Sequence, residues 1–326
     1  MIRLPRTFSW LVSGLVAGIA LLPLPASAAG TTWHIAVGAQ TADAGVQANG
    51  YYANDITVDV GDTIQWDMAA AEIHTVTFLS GQAAPPLFTI VGGNLVPNLQ
   101  ALSPAGGPNY AGSGFVNSGL LGAVGQSFSL TFTAQGTYGF LCLVHSGMTG
   151  TVHVAAAGTP YPATQADYDR QTQPLEAQLL GQGRSLSGLA QAAAAQAGPT
   201  SVTAGTGQAV SGVGSLAVLR FVPDQRIVHV GDTVTWTNRD PETPHTVTFG
   251  NEPPGGPFGA FPPSGTDGPA HATLSAPGQS TNSGFLLSAV PGDSQFNVTF
   301  TGPGTYNYIC ALHDDLGMKG TIVVLP

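Results

Sequence analysis

Leu130–Cys142 reads LTFTAQGTYGFLC, and Val298–Cys310, 168 positions on, reads VTFTGPGTYNYIC. Both alternate apolar with small or polar residues, and both are rich in β-branched and aromatic side chains. That is the period of a half-buried strand, interrupted by a turn at the glycines. Other blocks recur around this pair in the same order. VGDTIQW (Val60–Trp66) returns as VGDTVTW (Val230–Trp236), HTVTF (His74–Phe78) as HTVTF (His245–Phe249), and SGF (Ser113–Phe115) as SGF (Ser283–Phe285). GTVHV (Gly150–Val154) returns as GTIVV (Gly320–Val324), and every offset lies between 168 and 171. Two copies at so long a period mean a tandem duplication of a globular domain, not a solenoid. Each copy reads as an all-β antiparallel sandwich or barrel, its short strands joined by Gly- and Pro-rich turns. The long loops 82–112 and 250–281 should cover one edge or end of each sandwich.

Composition narrows the class. Of 326 residues, 43% are hydrophobic and 8% charged, the reverse of what disorder requires. The 44 Gly and 25 Pro follow no G-X-Y period, which excludes collagen. The formal net charge is -10 and Lys319 is the sole lysine, so no basic face exists to displace counterions from a nucleic acid. The N-terminus carries Arg3 and Arg6, an apolar run from Trp10 to Leu22, and Ala26-Ser27-Ala28, the layout of a cleaved export signal over 1–28. Cleavage leaves no stable membrane insertion. It places the protein in the periplasm, at the cell surface or outside the cell, where thiols meet an oxidising milieu. Domain one is then expected over 29–156 and domain two over 200–326. The Ala- and Gln-rich segment 157–199 reads as a linker with one or two helices, 166–180 and 186–196, broken at Gly181 and Gly183.

The chemistry sits in residues that recur. His74 is followed by Cys142, His145 and Met148; His245 is followed by Cys310, His313 and Met318. Two imidazoles, one thiolate and one thioether form a set suited to copper, with a weak axial sulfur tolerating both Cu(I) and Cu(II). Two cysteines in an exported chain could form a disulfide, but these occupy the same place in two separate copies, each beside its own His and Met. His34, His153, His229 and His271 do not recur and read as ordinary, partly buried strand residues.

Here the chain resembles the cupredoxins, the blue-copper family of plastocyanin, azurin, amicyanin and pseudoazurin. The VGDTVTW, HTVTF, G-T-Y-x-(F/Y)-x-C and G-x-(I/V)-x-V strands carry the likeness, which covers about 31–155 and 200–326. The resemblance implies two eight-strand Greek-key sandwiches, each with a type-1 copper at one end. The spacing Cys-x2-His-x2-Met in copy one is similar to amicyanin, and Cys-x2-His-x4-Met in copy two to plastocyanin. Many members carry Asn after the first His, where it ties the ligand loops together; this chain has Thr75 and Thr246.

The expectation is an exported electron carrier with two type-1 coppers and no enzymatic activity. A copper delivery or storage module is the alternative. A two-domain reductase or oxidase is disfavoured, because those families wire a second copper through His-Cys or His-x-His pairs, and neither occurs here. Electrons are expected to pass at His145 and His313, flanked by Leu143-Val144 and Ala311-Leu312, to redox partner proteins that are basic where they meet Asp314 and Asp315 of domain two.

Overall fold

The computed structural model describes residues 30–91, 94–255, 257–260 and 262–326; the expected export signal lies outside the described residues. The repeated VGDT turn owes its form to the aspartate. Asp62 accepts the amide N–H of Thr31 at 2.7 Å and of Asp59 at 2.9 Å, and Asp232 accepts that of His229 at 2.8 Å. The turn delivers the following strands, Thr63–Met68 and Thr233–Arg239, with alternate side chains inward. At the centre of each core lies a fully buried indole, Trp66 or Trp236. Trp66 meets Phe78 and Phe140 edge-on at 5.9 and 5.3 Å, and Trp236 meets Phe249 and Tyr308 at 5.6 and 5.1 Å. Each copy thus buries its own aromatic cluster.

Both copies are sandwiches, and they share a sheet. In domain one the strands run Val46–Tyr52, Thr32–Gln40, Thr63–Met68, Ser127–Phe132 and Asn109–Tyr110. In domain two they run Gly214–Val222, Ser201–Val210, Thr233–Arg239, Gln295–Phe300 and His271–Leu274. Val46–Tyr52 and Gly214–Val222 pair antiparallel, joining the two halves into one ten-stranded sheet. Each half faces its own second sheet, built around Gly136–Leu141 in one copy and Gly304–Ile309 in the other. In the seam Gln47 stands opposite Ala217. Those positions are 170 apart, as are Tyr51 and Phe221, which hold the same place against Phe140 and Tyr308. Equivalent residues facing each other in an antiparallel pair place a pseudo-two-fold axis at the seam, so like surfaces of the copies meet.

The linker is one helix, Gln165–Gln196, not two. It opens on a capping box of Thr164 and Asp167, continues through Pro174, and does not break at Gly181 or Gly183. Gly183 is there for closeness: a Cβ on it would lie 2.2 Å from Val46 Cγ1 in the seam strand. The helix buries Leu179 with Ala48, Tyr52 and Leu216, apolar residues of both domains. Near its start Tyr168 packs edge-on against Trp33, and its hydroxyl accepts the Thr57 N–H at 3.0 Å. Near its end the Ala194 carbonyl accepts from Arg226 of domain two at 3.1 Å. It is therefore a strut across the seam, and propensity alone could not show that.

Candidate metal centres

In each copy a β-bridge fixes the first histidine, His74 opposite Leu121 and His245 opposite Leu286. Cys142 and Cys310 follow directly on the strands Gly136–Leu141 and Gly304–Ile309. A short loop then returns the chain. The Cys142 N–H donates to the Met148 carbonyl at 3.0 Å, and the Cys310 N–H to that of Met318 at 3.0 Å. The two extra residues of copy two fold into an added turn, with the Gly317 N–H on the Asp314 carbonyl at 2.9 Å, so both loops close alike.

Three donors converge in each copy, all buried. Cys142 Sγ lies 3.9 Å from Nδ1 of His74 and 3.9 Å from Nδ1 of His145, and the two nitrogens are 3.1 Å apart. In domain two Cys310 Sγ lies 3.9 and 3.4 Å from Nδ1 of His245 and His313, which are 3.2 Å apart. Donors bound to one small ion at about 2.0–2.3 Å would stand roughly 3.3–3.8 Å from one another, so each triangle fits a single metal. Met148 and Met318 are fully buried in the same loops. The cysteines are unpaired, each in its own site. His34, His153 and His271 lie beside surface aspartates, and neither they nor His229 join a ligand set.

Electrostatics favour the ligating form. Burial pushes both thiols up, but the facing imidazoles outweigh it and hold Cys142 and Cys310 well below the ordinary thiol value. Burial pushes the His74 imidazole down. Burial also works against the charge on His313, yet Glu72 first and then Cys310 carry it up to about 10.

The threonines after the first histidines take the tying role. Thr75 N–H donates to Cys142 Sγ at 3.4 Å, and Thr75 Oγ1 accepts the Leu143 N–H at 2.8 Å. Thr246 repeats this with Cys310 at 3.3 Å and Ala311 at 2.7 Å. In domain one the Val144 N–H also reaches Cys142 Sγ, at 3.4 Å.

Sequence reading missed two features. Gly38 and Gly205 sit where their strands shift register, with φ of 71° and 78°, and pass over the first histidine. A Cβ there would lie 3.1 Å from His74 Nε2 or 2.0 Å from His245 Nε2. The signal was an interrupted alternation at the same place in both copies. The second is Glu72, two residues before His74, where domain two has Thr243. It is buried, with Oε1 3.9 Å from His145 Nε2 and Oε2 3.4 Å from His313 Nε2. Burial raises its carboxyl, but His313 and then His145 outweigh that and hold it at about 2. It does not recur, so a search for repeats passes over it.

The second histidines are 1% and 4% exposed, and they line an apolar cavity of about 360 Å³ between the domains with Val144 and Leu312. The long loops close this end: Leu87, Phe88 and Leu102 from one and Phe258 from the other are in the cavity wall.

Two β-sandwiches, each with a buried Cys-His-His set at one end, define a cupredoxin pair. The family profile for copper binding proteins of the plastocyanin/azurin family matches residues 39–155 and 208–325. The chain is 32% identical to plastocyanin of Scenedesmus fuscus over 109 residues, covering 32% of this chain and 87% of that protein. It is also 32% identical over 147 residues to chloroplastic plastocyanin of Oryza sativa subsp. indica, covering 43% and 77%. Among solved structures, the oxidized form of plastocyanin from Dryopteris crassirhizoma aligns at 23% identity and a TM-score of 0.24, over 38% of this chain and 99% of that one. The chain belongs to the plastocyanin/azurin family of copper-binding proteins, with two copper sites, one per domain.

Proposed function

We propose that this is an exported electron-transfer protein with two type-1 copper sites. When bound, copper supplies a one-electron couple between Cu(I) and Cu(II). The chain supplies a thiolate and two imidazoles held in place by β-bridges, loop closure and the threonine ties, with Met148 and Met318 as weak axial ligands. The observation that carries the reading is the pair of buried triangles, each with all three donor atoms already aimed at one point. Such a site changes little between oxidation states, and that suits carrying electrons better than releasing metal.

Export rests on residues 1–28, and among the described residues no helix is long and apolar enough to cross a membrane. Redox partners would be basic where they meet domain two: Asp315 and Glu252 are exposed, and the carboxyl of Glu252 is raised by burial and by Asp314 and Asp315. The reading against an enzyme rests on the lack of any His-Cys or His-x-His pair in the sequence.

The test is copper content with visible spectroscopy of the full chain. Two coppers per chain and intense blue absorption that bleaches with reductant and returns with oxidant are expected. Colourless protein that yields copper readily to a chelator would establish the delivery reading instead.

A further inference from the structure

One carboxylate serves both sites. Glu72 comes from domain one, yet its two oxygens face ligand histidines of different domains, at 3.9 Å from His145 Nε2 and 3.4 Å from His313 Nε2. With Nδ1 directed at the metal, each imidazole carries its proton on Nε2 and needs an acceptor, commonly a carboxylate. Across a pseudo-two-fold axis two such N–H groups converge, and Glu72 lies between them, within ion-pair distance of both, with Oε2 nearer to His313 than Oε1 is to His145. The equivalent residue in domain two is Thr243, and the neighbouring Glu242 also lines the cavity. Ile73, Val144, Phe285, Leu287 and Leu312 line the same cavity, giving the bridge a largely apolar surround. The two Nε2 atoms are no more than about 10 Å apart through the carboxylate, although the histidines are 168 positions apart in the chain.

We propose that Glu72 bridges the two copper sites, so that an electron passes between the domains within one chain. The proposal rests on the copper-carrier reading above. The exchange moves one electron: the donor site goes from Cu(I) to Cu(II) and the acceptor from Cu(II) to Cu(I). The imidazoles keep their N–H protons and the carboxylate stays ionised, so no bond breaks and no further reactant is required. Electron tunnelling decays faster across empty space than along bonded groups, and the Glu72 carboxylate fills part of the space between the two imidazoles, leaving gaps of 3.9 and 3.4 Å. The same carboxylate places one negative charge beside a ligand of each site, so it stabilises Cu(II) in both domains.

The experiment uses the full-length two-copper protein. A reducing pulse supplies less than one electron per chain, and the redistribution between the blue bands is followed in time. The bands are assigned from the spectra of Cys142→Ala and Cys310→Ala. The wild type should show a redistribution phase whose rate is independent of protein concentration. Glu72→Leu should lose that phase, with both blue bands and the copper–copper distance by pulsed electron spin resonance unchanged. Glu72→Gln, which keeps the size of the side chain but removes its charge and leaves an acceptor for one imidazole alone, should raise the potentials of both sites, including that of domain two. A wild-type rate in Glu72→Leu with both sites intact overturns the bridge, and so does a domain-two potential unmoved in Glu72→Gln. Should Glu72→Leu not fold, Glu72→Ala takes its place, with the same loss of the redistribution phase expected. Failure to find two blue coppers in the wild type would instead overturn the carrier reading, and copper analysis distinguishes that case at the outset.

Discussion

Thr75→Val keeps the branched shape of the side chain and replaces one hydroxyl by a methyl. Thr75 Oγ1 accepts the Leu143 N–H at 2.8 Å and lies 3.1 Å from Thr77 Oγ1. Thr77 spends its own hydrogen on Asn117 Oδ1 at 3.0 Å, so Thr75 is the donor of the pair. Valine would therefore strand the Leu143 N–H and take one donor from Thr77. A buried donor left without a partner costs about 1–3 kcal/mol, and because Leu143 is only half-buried the lower part of that range applies, about 1–2 kcal/mol. The loss falls on the segment joining Cys142 to His145, so it should appear in domain one's metal site as well as in its stability. The assay is urea unfolding of the copper-loaded chain followed at each blue band. The Cys142 band should vanish at lower urea than in the wild type, and the Cys310 band should hold its midpoint. Thr246→Val should reverse the pattern, through the matching 2.7 Å bond from Ala311. A loss below about 0.5 kcal/mol in both variants, the level of an ordinary surface change, would refute the claim that these hydroxyls tie the ligand loops.

Other outcomes follow from the same geometry. Cys142→Ala and Cys310→Ala should each remove one copper and one blue band, because the ligand sets share no residue. The potentials measured on those two variants should be lower for domain two: Cys310 accepts an amide N–H from Thr246, whereas Cys142 accepts from Thr75 and Val144, and fewer hydrogen bonds to the sulfur favour Cu(II). In the strut helix, Gly181→Ala should stabilise by up to about 1 kcal/mol, since a Cβ there meets nothing within 4 Å. Gly183→Ala should destabilise by about 1–3 kcal/mol through its clash with Val46, and thermal melting of the pair would expose an error in either sign. Burial raises the carboxyl of Asp240 above 3.8, against a weaker opposing pull from His245. Its native form thus holds the proton more tightly than the unfolded chain, and this contribution to stability fades as pH rises through the raised value. Asp240→Asn should accordingly be more favourable, relative to wild type, at pH 7 than at pH 4 in denaturant titrations. An identical difference at both would contradict the assignment.

Much of each site could be read in the chain, and much of its setting could not. His74, Cys142 and His145 are 68 and 3 positions apart, and nothing local brings the first to the others. They could be named because duplication wrote the same spacing twice. Thr75 and Thr246 were visible as departures from the family's Asn, yet that the hydroxyl makes the tie needed the amides of Leu143 and Ala311 in place. The helix over 165–196 was foreseen as broken at its glycines, because helix propensity counts only a glycine's cost. It is continuous because Leu179 is buried against both domains, and Gly183 lets the helix approach Val46 closely.

By itself the sequence determined two all-β copies and the residues able to hold copper in each. Strand alternation records which face is buried, and ligand chemistry is a property of side-chain type, so both are written locally and doubled by the repeat. The tertiary structure alone decided how the copies meet. The seam through Gln47 and Ala217 is formed by backbone groups that every strand carries, so no residue pattern announces it. Once those strands pair, the second histidines of both domains turn into one cavity, and Glu72, a residue without a counterpart in the repeat, comes to lie between them. A contact between different domains depends on the relative placement of whole sheets, and that placement follows from the summed packing of seam, strut and loops, not from the period of any one strand.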